Sequence, residues 1–167
     1  MLYSLYNMNV YLELEDIHPR YINISNPVKN TVLDNSMFMR TSYSNTLCSM
    51  NCMHIHLKFN IMRVLKYFNR YTYEFKYEDN IHSIETLSKL EHSILDSLNI
   101  NNLQKTIQLK QQLIHNKIHI HTKSSCMYPN TPLLILKISG IWLTSTHYGL
   151  TYKFIHGLTH PLKNILK

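Results

Sequence analysis

Apolar residues fall at every second position through most of this chain's extended segments. Met53, Ile55, Leu57 and Phe59 alternate with Cys52, His54, His56 and Lys58, the period of a strand with one buried face. Tyr71, Tyr73, Phe75 and Tyr77 alternate with Thr72, Glu74 and Lys76, and Ile118 and Ile120 alternate with Lys117, His119, His121 and Lys123. Weaker alternation over 9–15, 21–24 and 37–41 predicts three shorter strands. The period changes after Ser83: Ile84, Leu87, Leu90, Ile94 and Leu98 recur at intervals of three and four. That stripe predicts an amphipathic helix with Asn80 or Ser83 at its N-cap. A second helix is expected over 103–115, ended by a left-handed Asn116. Residues 60–69 are ambiguous, since Ile61, Met62, Leu65 and Phe68 suit a short helix.

Two strands joined by a short polar loop are expected over 132–155. This stretch holds Trp142, the only tryptophan, and Gly140 and Gly149, two of the three glycines. Glycine within a strand marks a bulge, a positive φ or a close approach. Unbroken alternation puts Leu134, Leu136, Ile138, Gly140 and Trp142 on the core face, with Trp142 as a buried anchor. On the return strand Tyr148, Leu150, Tyr152 and Phe154 match them. Lys137, Ser139, Thr151 and Lys153 are left outward, so Lys137 and Lys153 project from the same side. With strands at both ends and helices between, the chain reads as an α+β domain. Its sheet is expected to be antiparallel and barrel-like, with one or two helices packed on it.

Charge sharpens this picture. The net charge is +7, and it is segregated: residues 1–100 hold nine Lys/Arg and ten Asp/Glu, whereas no acidic residue follows Asp96. The later part adds eight Lys and six His, which favours a polyanionic partner, nucleic acid first. The absence of alanine and abundance of Asn, Ile, Lys and Tyr fit an AT-rich coding genome. Three cysteines at no scaffold spacing fit a reducing compartment. No basic leader with an apolar core opens the chain, and no apolar run nears the roughly 20 residues of a membrane helix. The expectation is a soluble intracellular protein with no membrane partner.

Candidate chemistry is sparse. Cys48, Cys52, His54 and His56 have the residue types of a zinc site, but on an extended strand Cys48 and Cys52 stand about 13 Å apart. Histidines on a solvated face are the simpler reading, and no metal or cofactor is expected. Phosphate loops, GxSxG and HExxH are missing, and the carboxylates are too scattered for two-metal chemistry. A non-catalytic protein follows. Lys137, Ser139, Thr151 and Lys153 form the favoured phosphate-contacting face, extended by Lys117, His119, His121 and Lys123 if their strand is adjacent. Tyr71 and Tyr73 are candidates for base stacking, against the alternative that their rings line the core.

The strings LKISGIW (136–142) and YGLTYKF (148–154), after a helical segment with Gln112-Leu113 and a basic strand over 117–123, carry a resemblance. Over about 103–155 the chain resembles the end of the OB-fold in single-stranded DNA-binding proteins of large double-stranded DNA viruses, relatives of the phage-type binding protein. The loop after the tryptophan lacks acidic residues that this pattern carries, and the HPLKNILK ending (160–167) is not the acidic tail of phage-type relatives. The resemblance implies a single OB-like domain over 1–167 with a helical insertion at about 80–116. It also implies sequence-tolerant, non-catalytic binding of single-stranded DNA, or RNA, with replication proteins as further partners and a nuclear or viral replication site. A dimer is compatible with the sequence. The alternative is a ribosomal or virion component that docks through its basic half.

Overall fold

The structure is a computed structural model and describes residues 11–121 and 133–157. It is α+β, mostly strand, with one main helix. In chain order the strands are β1 (Leu12–Glu13), β2 (Ile22–Ile24), β3 (Val28–Lys29), β4 (Met37–Ser44), β5 (Ser49–Asn51), β6 (Met53–His56), β7 (Ile61–Tyr67) and β8 (Arg70–Phe75). After helix α1 (Ile81–Asp96) come β9 (Gln104–Thr106), the short helix α2 (Leu109–Leu113), β10 (Lys117–His121), β11 (Leu133–Leu143) and β12 (His147–Gly157).

Strand β11 is the hub of a nine-stranded sheet. It pairs antiparallel with β12, with β6 over its first half and with β4 over its second. Strands β2, β3 and β5 hang on β4, and β1 and β9 pair parallel with β6 and β12. A second sheet has three antiparallel strands in the order β10-β8-β7. Among the described residues the two sheets share no ladder and do not close into a barrel.

The core lies between the sheets and α1. Met53, Ile55, Leu134, Leu136, Ile138, Ile141, Leu150 and Phe154 of the large sheet join Tyr73, Phe75, Ile118 and Ile120 of the small one, with Ile84, Leu87, Ile94 and Leu95 of α1. The alternating segments over 53–59, 71–75 and 118–120 thus bury the faces that their period predicts.

Helix α1 begins where expected, but Asn80 does not cap it through its side chain. The buried Asn80 carboxamide instead accepts from the Asn60 N–H at 2.7 Å and donates to the Lys76 carbonyl at 2.8 Å. The segment over 60–69 is strand β7, not a helix. The expected helix over 103–115 is also corrected. Gln104–Thr106 is a strand beside β12, and only Leu109–Leu113 is helical. The fully buried Glu91 carboxylate organises that switch by accepting the N–H groups of Gln108 and Leu109, each at 3.0 Å. It thereby satisfies two donors at the start of α2. Burial holds its carboxyl above the usual range. The Tyr152 hydroxyl donates to Gln112 at 2.8 Å, and burial with Glu91 nearby pushes that phenol up to about 12, so it remains a donor. Asn116 adopts the left-handed conformation expected of it, with φ 60°. Among the described residues no helix is long and apolar enough to cross a membrane.

Candidate nucleic-acid interface

The outward face of the large sheet is built by one irregularity. Between Ile138 and Gly140 the β11–β12 register shifts, so that Ile138 faces Tyr152 while Gly140 faces Thr151. Ser139 is the extra residue of a bulge, and every side chain after it changes face. Ile141 therefore enters the core, fully buried, and Trp142 turns to the outer face, where it is half-buried. This corrects the expectation of a buried tryptophan anchor. On β12 the alternation runs on unbroken, and Tyr148, Leu150 and Phe154 are buried as expected.

The bulge brings Trp142 onto the same face as Lys137, Thr151 and Lys153. Lys137 pairs with Lys153 on one side and His54 on the other. Burial first, then the charges of Lys137 and Lys153, hold the His54 imidazole below its usual range. Further along, Arg40 pairs with Gly140 and Phe38 with Trp142. The face thus runs from a cationic row, His54-Lys137-Lys153, to an aromatic row, Phe38-Trp142.

Both glycines serve this face. A Cβ on Gly140 would lie 2.4 Å from the Phe38 ring and 2.3 Å from the Met39 carbonyl oxygen. A Cβ on Gly149 would lie 2.9 Å from the Trp142 ring and 3.1 Å from the Thr106 carbonyl oxygen. Each glycine leaves room for one ring to approach the backbone closely. The rings, with Arg40 and Thr151, floor a groove of about 520 Å³ whose wall is the turn carrying Val28, Lys29, Val32 and Leu33. That turn is fixed by the Asn30 carboxamide oxygen, which accepts from the N–H groups of Val32 at 2.9 Å and Leu33 at 3.3 Å. A second groove of about 560 Å³ continues past Lys29 to Leu103, Leu143 and Ser145.

The chain, compared with known protein families, with curated proteins and with solved structures, matches none of them. The candidate site is therefore defined by its geometry.

The sequence-predicted residues divide between two surfaces. Lys137, Ser139, Thr151 and Lys153 do share the outer face of the large sheet. Lys117, His119 and His121 do not extend it, because β10 pairs with β8 in the small sheet. There Lys117 pairs with Glu74 at 3.3 Å, and His119 Nδ1 lies 3.1 Å from the Thr72 hydroxyl. Partial burial, with Arg70, His121 and Lys117 nearby, holds the His119 imidazole below its usual range. Lys123 lies outside the described residues. Tyr71 and Tyr73 are core residues, 8% and 2% exposed, so as placed they offer no ring face to a base. The Tyr73 hydroxyl lies 2.9 Å from Nε2 of buried His156, whose imidazole burial pushes down to about 4.

The Cys/His cluster disperses. His56 turns to Glu13 at 3.3 Å, and Cys52 takes a left-handed φ of 72° between β5 and β6. Among the described residues no three His, Cys, Asp or Glu side chains gather as a metal site; Cys126 lies outside them. Sequence reasoning missed Phe38, Arg40, Lys29 and Trp142. Ser139-Gly140 was the available signal, since a glycine inside a strand is where parity is most prone to break.

Proposed function

We propose that this protein is a sequence-tolerant, non-catalytic single-stranded DNA-binding protein with an OB-like architecture, acting in viral-type DNA replication or recombination. The observation that carries the reading is the face on which two half-buried rings, Phe38 and Trp142, pack against glycines within a cationic surround. Unpaired bases stack on exposed rings whatever their identity, each worth roughly 1–3 kcal/mol, while lysine and arginine follow the phosphates. A duplex hides its base faces and offers such a surface only its backbone. Neither row alone is distinctive; their alignment on one sheet face with a groove beside them is. RNA meets the same chemistry.

Fluorescence anisotropy with labelled oligo-dT and with a duplex, across salt concentrations, tests this. With Lys29, Arg40, Lys137 and Lys153 on phosphates, log affinity should fall against log salt with a slope of about −3, from roughly −0.7 per phosphate on a single strand. Equal affinity for the duplex would reduce the face to a generic basic surface. No binding at low salt would overturn the proposal and favour the docking-subunit alternative, whose apolar contacts are nearly salt-independent.

A further inference from the structure

The small sheet ends in a hairpin with an unusual tip. Strands β7 and β8 are joined through Phe68-Asn69, with Tyr67 and Arg70 as their last pair. Tyr67 is 74% exposed and Phe68 79%. Their rings meet edge to face, with centroids 4.6 Å apart and planes at 84°.

Neither feature helps the fold. Two exposed rings gain little from burial, and Phe68 sits at φ 48°, a region that costs a bulky residue roughly 1–2 kcal/mol. Glycine at the first of the two turn positions would form such a turn without strain. A bulky ring held at a strained turn is a reason to look for a function.

The surroundings say which function. Lys66 and Arg70 flank the tip, and from Lys58 to Tyr77 the only carboxylate is Glu74. That carboxylate is already engaged by Arg63 at 2.6 Å and Lys117 at 3.3 Å. His119 and His121 continue the face of Tyr67 and Arg70 on β10, whereas Lys66 lies on the other face of the hairpin, over the Tyr71 ring. A second copy of this chain, with net charge +7, brings no matching acidic surface. An unpaired nucleic-acid strand brings both a polyanion for the cations and π-faces for the rings.

We infer that the β7–β8 hairpin is a second single-strand contact, in which Tyr67 and Phe68 stack on bases while Lys66 and Arg70 hold phosphates. It rests on the partner class proposed above but occupies a different sheet from the Phe38-Trp142 face. A strand must therefore be long enough to leave one face and reach the other. The hairpin acts on long strands and not on short ones.

The test compares oligo-dT of about 8 and about 30 nucleotides, lengths that bracket the span of one such domain. The variant is Tyr67→Ser with Phe68→Gly, which also relieves the strained residue and so keeps the fold. The double variant should lose about tenfold in affinity for the long oligonucleotide and retain wild-type affinity for the short one. Unchanged affinity for both, with Lys153→Ala still weakening both, would overturn the hairpin contact and leave the proposed function standing. An equal loss on both lengths would overturn the second contact as a separate one. Failure of the wild-type protein to bind either oligonucleotide would remove both proposals together.

Discussion

Lys137 and Lys153 stand directly opposite each other in the β11–β12 ladder. Like charges at opposed positions destabilise a sheet by roughly 0.2–1 kcal/mol, and no carboxylate is paired with either of them among the described residues. A fold selected only for stability would remove one of the two. Replacing Lys153 with Gln should therefore raise the unfolding free energy from urea titration slightly, by about 0.5 kcal/mol or less, while weakening single-strand binding. The double variant with Lys137→Gln should flatten the salt slope by about 1.4. If stability and affinity fall together, the pair is structural.

Gly140 and Gly149 separate backbone crowding from ring placement. Gly140→Ala meets a carbonyl oxygen at 2.3 Å that cannot swing away, whereas Gly149→Ala meets chiefly the Trp142 ring at 2.9 Å. Overpacking of this kind costs roughly 1–3 kcal/mol. Gly140→Ala should lie at the upper end. Gly149→Ala should be milder but should shift the Trp142 emission as the ring is lifted from the sheet. Denaturant titration followed by fluorescence reads both effects, and equal costs with unchanged emission would contradict this packing.

Tyr73 tests the division between core and interface. Tyr73→Phe removes a buried hydroxyl bonded to His156 at 2.9 Å and should cost about 1–2 kcal/mol, with single-strand affinity unchanged. A loss of affinity at unchanged stability would return Tyr73 to the binding surface.

His156 makes stability depend on pH with a definite sign. Its folded value is about 4 against 6.5 for the free side chain, so between these values the unfolded chain binds more protons and stability falls as pH falls. From pH 7.5 to pH 5 the loss due to this residue is about 2 kcal/mol. His54 and His119, also lowered, act in the same direction, whereas the raised Glu91 opposes them. The difference between wild type and His156→Gln is therefore the readout. The variant's urea midpoint should change less over this range, and parallel curves would show that His156 is not buried neutral.

Much of the architecture was legible in the alternation of residues, because strands half-buried in one core write their faces plainly. Residues 53–59, 71–75 and 118–120 are buried as their period says, and Leu134, Leu136 and Ile138 enter the core as theirs does, although Ile135 on the other face is buried too. Three features were not legible. Strand β9 lacks a period of its own and exists because Glu91, distant in sequence, starts α2 late and frees Gln104–Thr106 to join β12. Strand β7 has both faces largely exposed, which removes the alternation that would distinguish it from a helix. The candidate face was half-legible: Lys137 and Lys153 share one side of the sheet as the alternation says, but a one-residue bulge at Ser139 reverses Trp142, and Phe38 and Arg40 join it through strand pairing. Which sheet β10 joins is a tertiary fact that no local pattern contains, and because it joins β8 the condition under which Lys117, His119 and His121 would extend the face is not met.

Trp142 is the only tryptophan, so its fluorescence reports on the proposed face without a label. Titration with oligo-dT at low salt, with anisotropy of the same oligonucleotide run in parallel, tests the central claim most directly. Stacking predicts strong quenching that saturates at the concentration given by anisotropy and is reversed by salt. Binding seen by anisotropy with no change in Trp142 emission would contradict the account, because the strand would then lie elsewhere on the molecule.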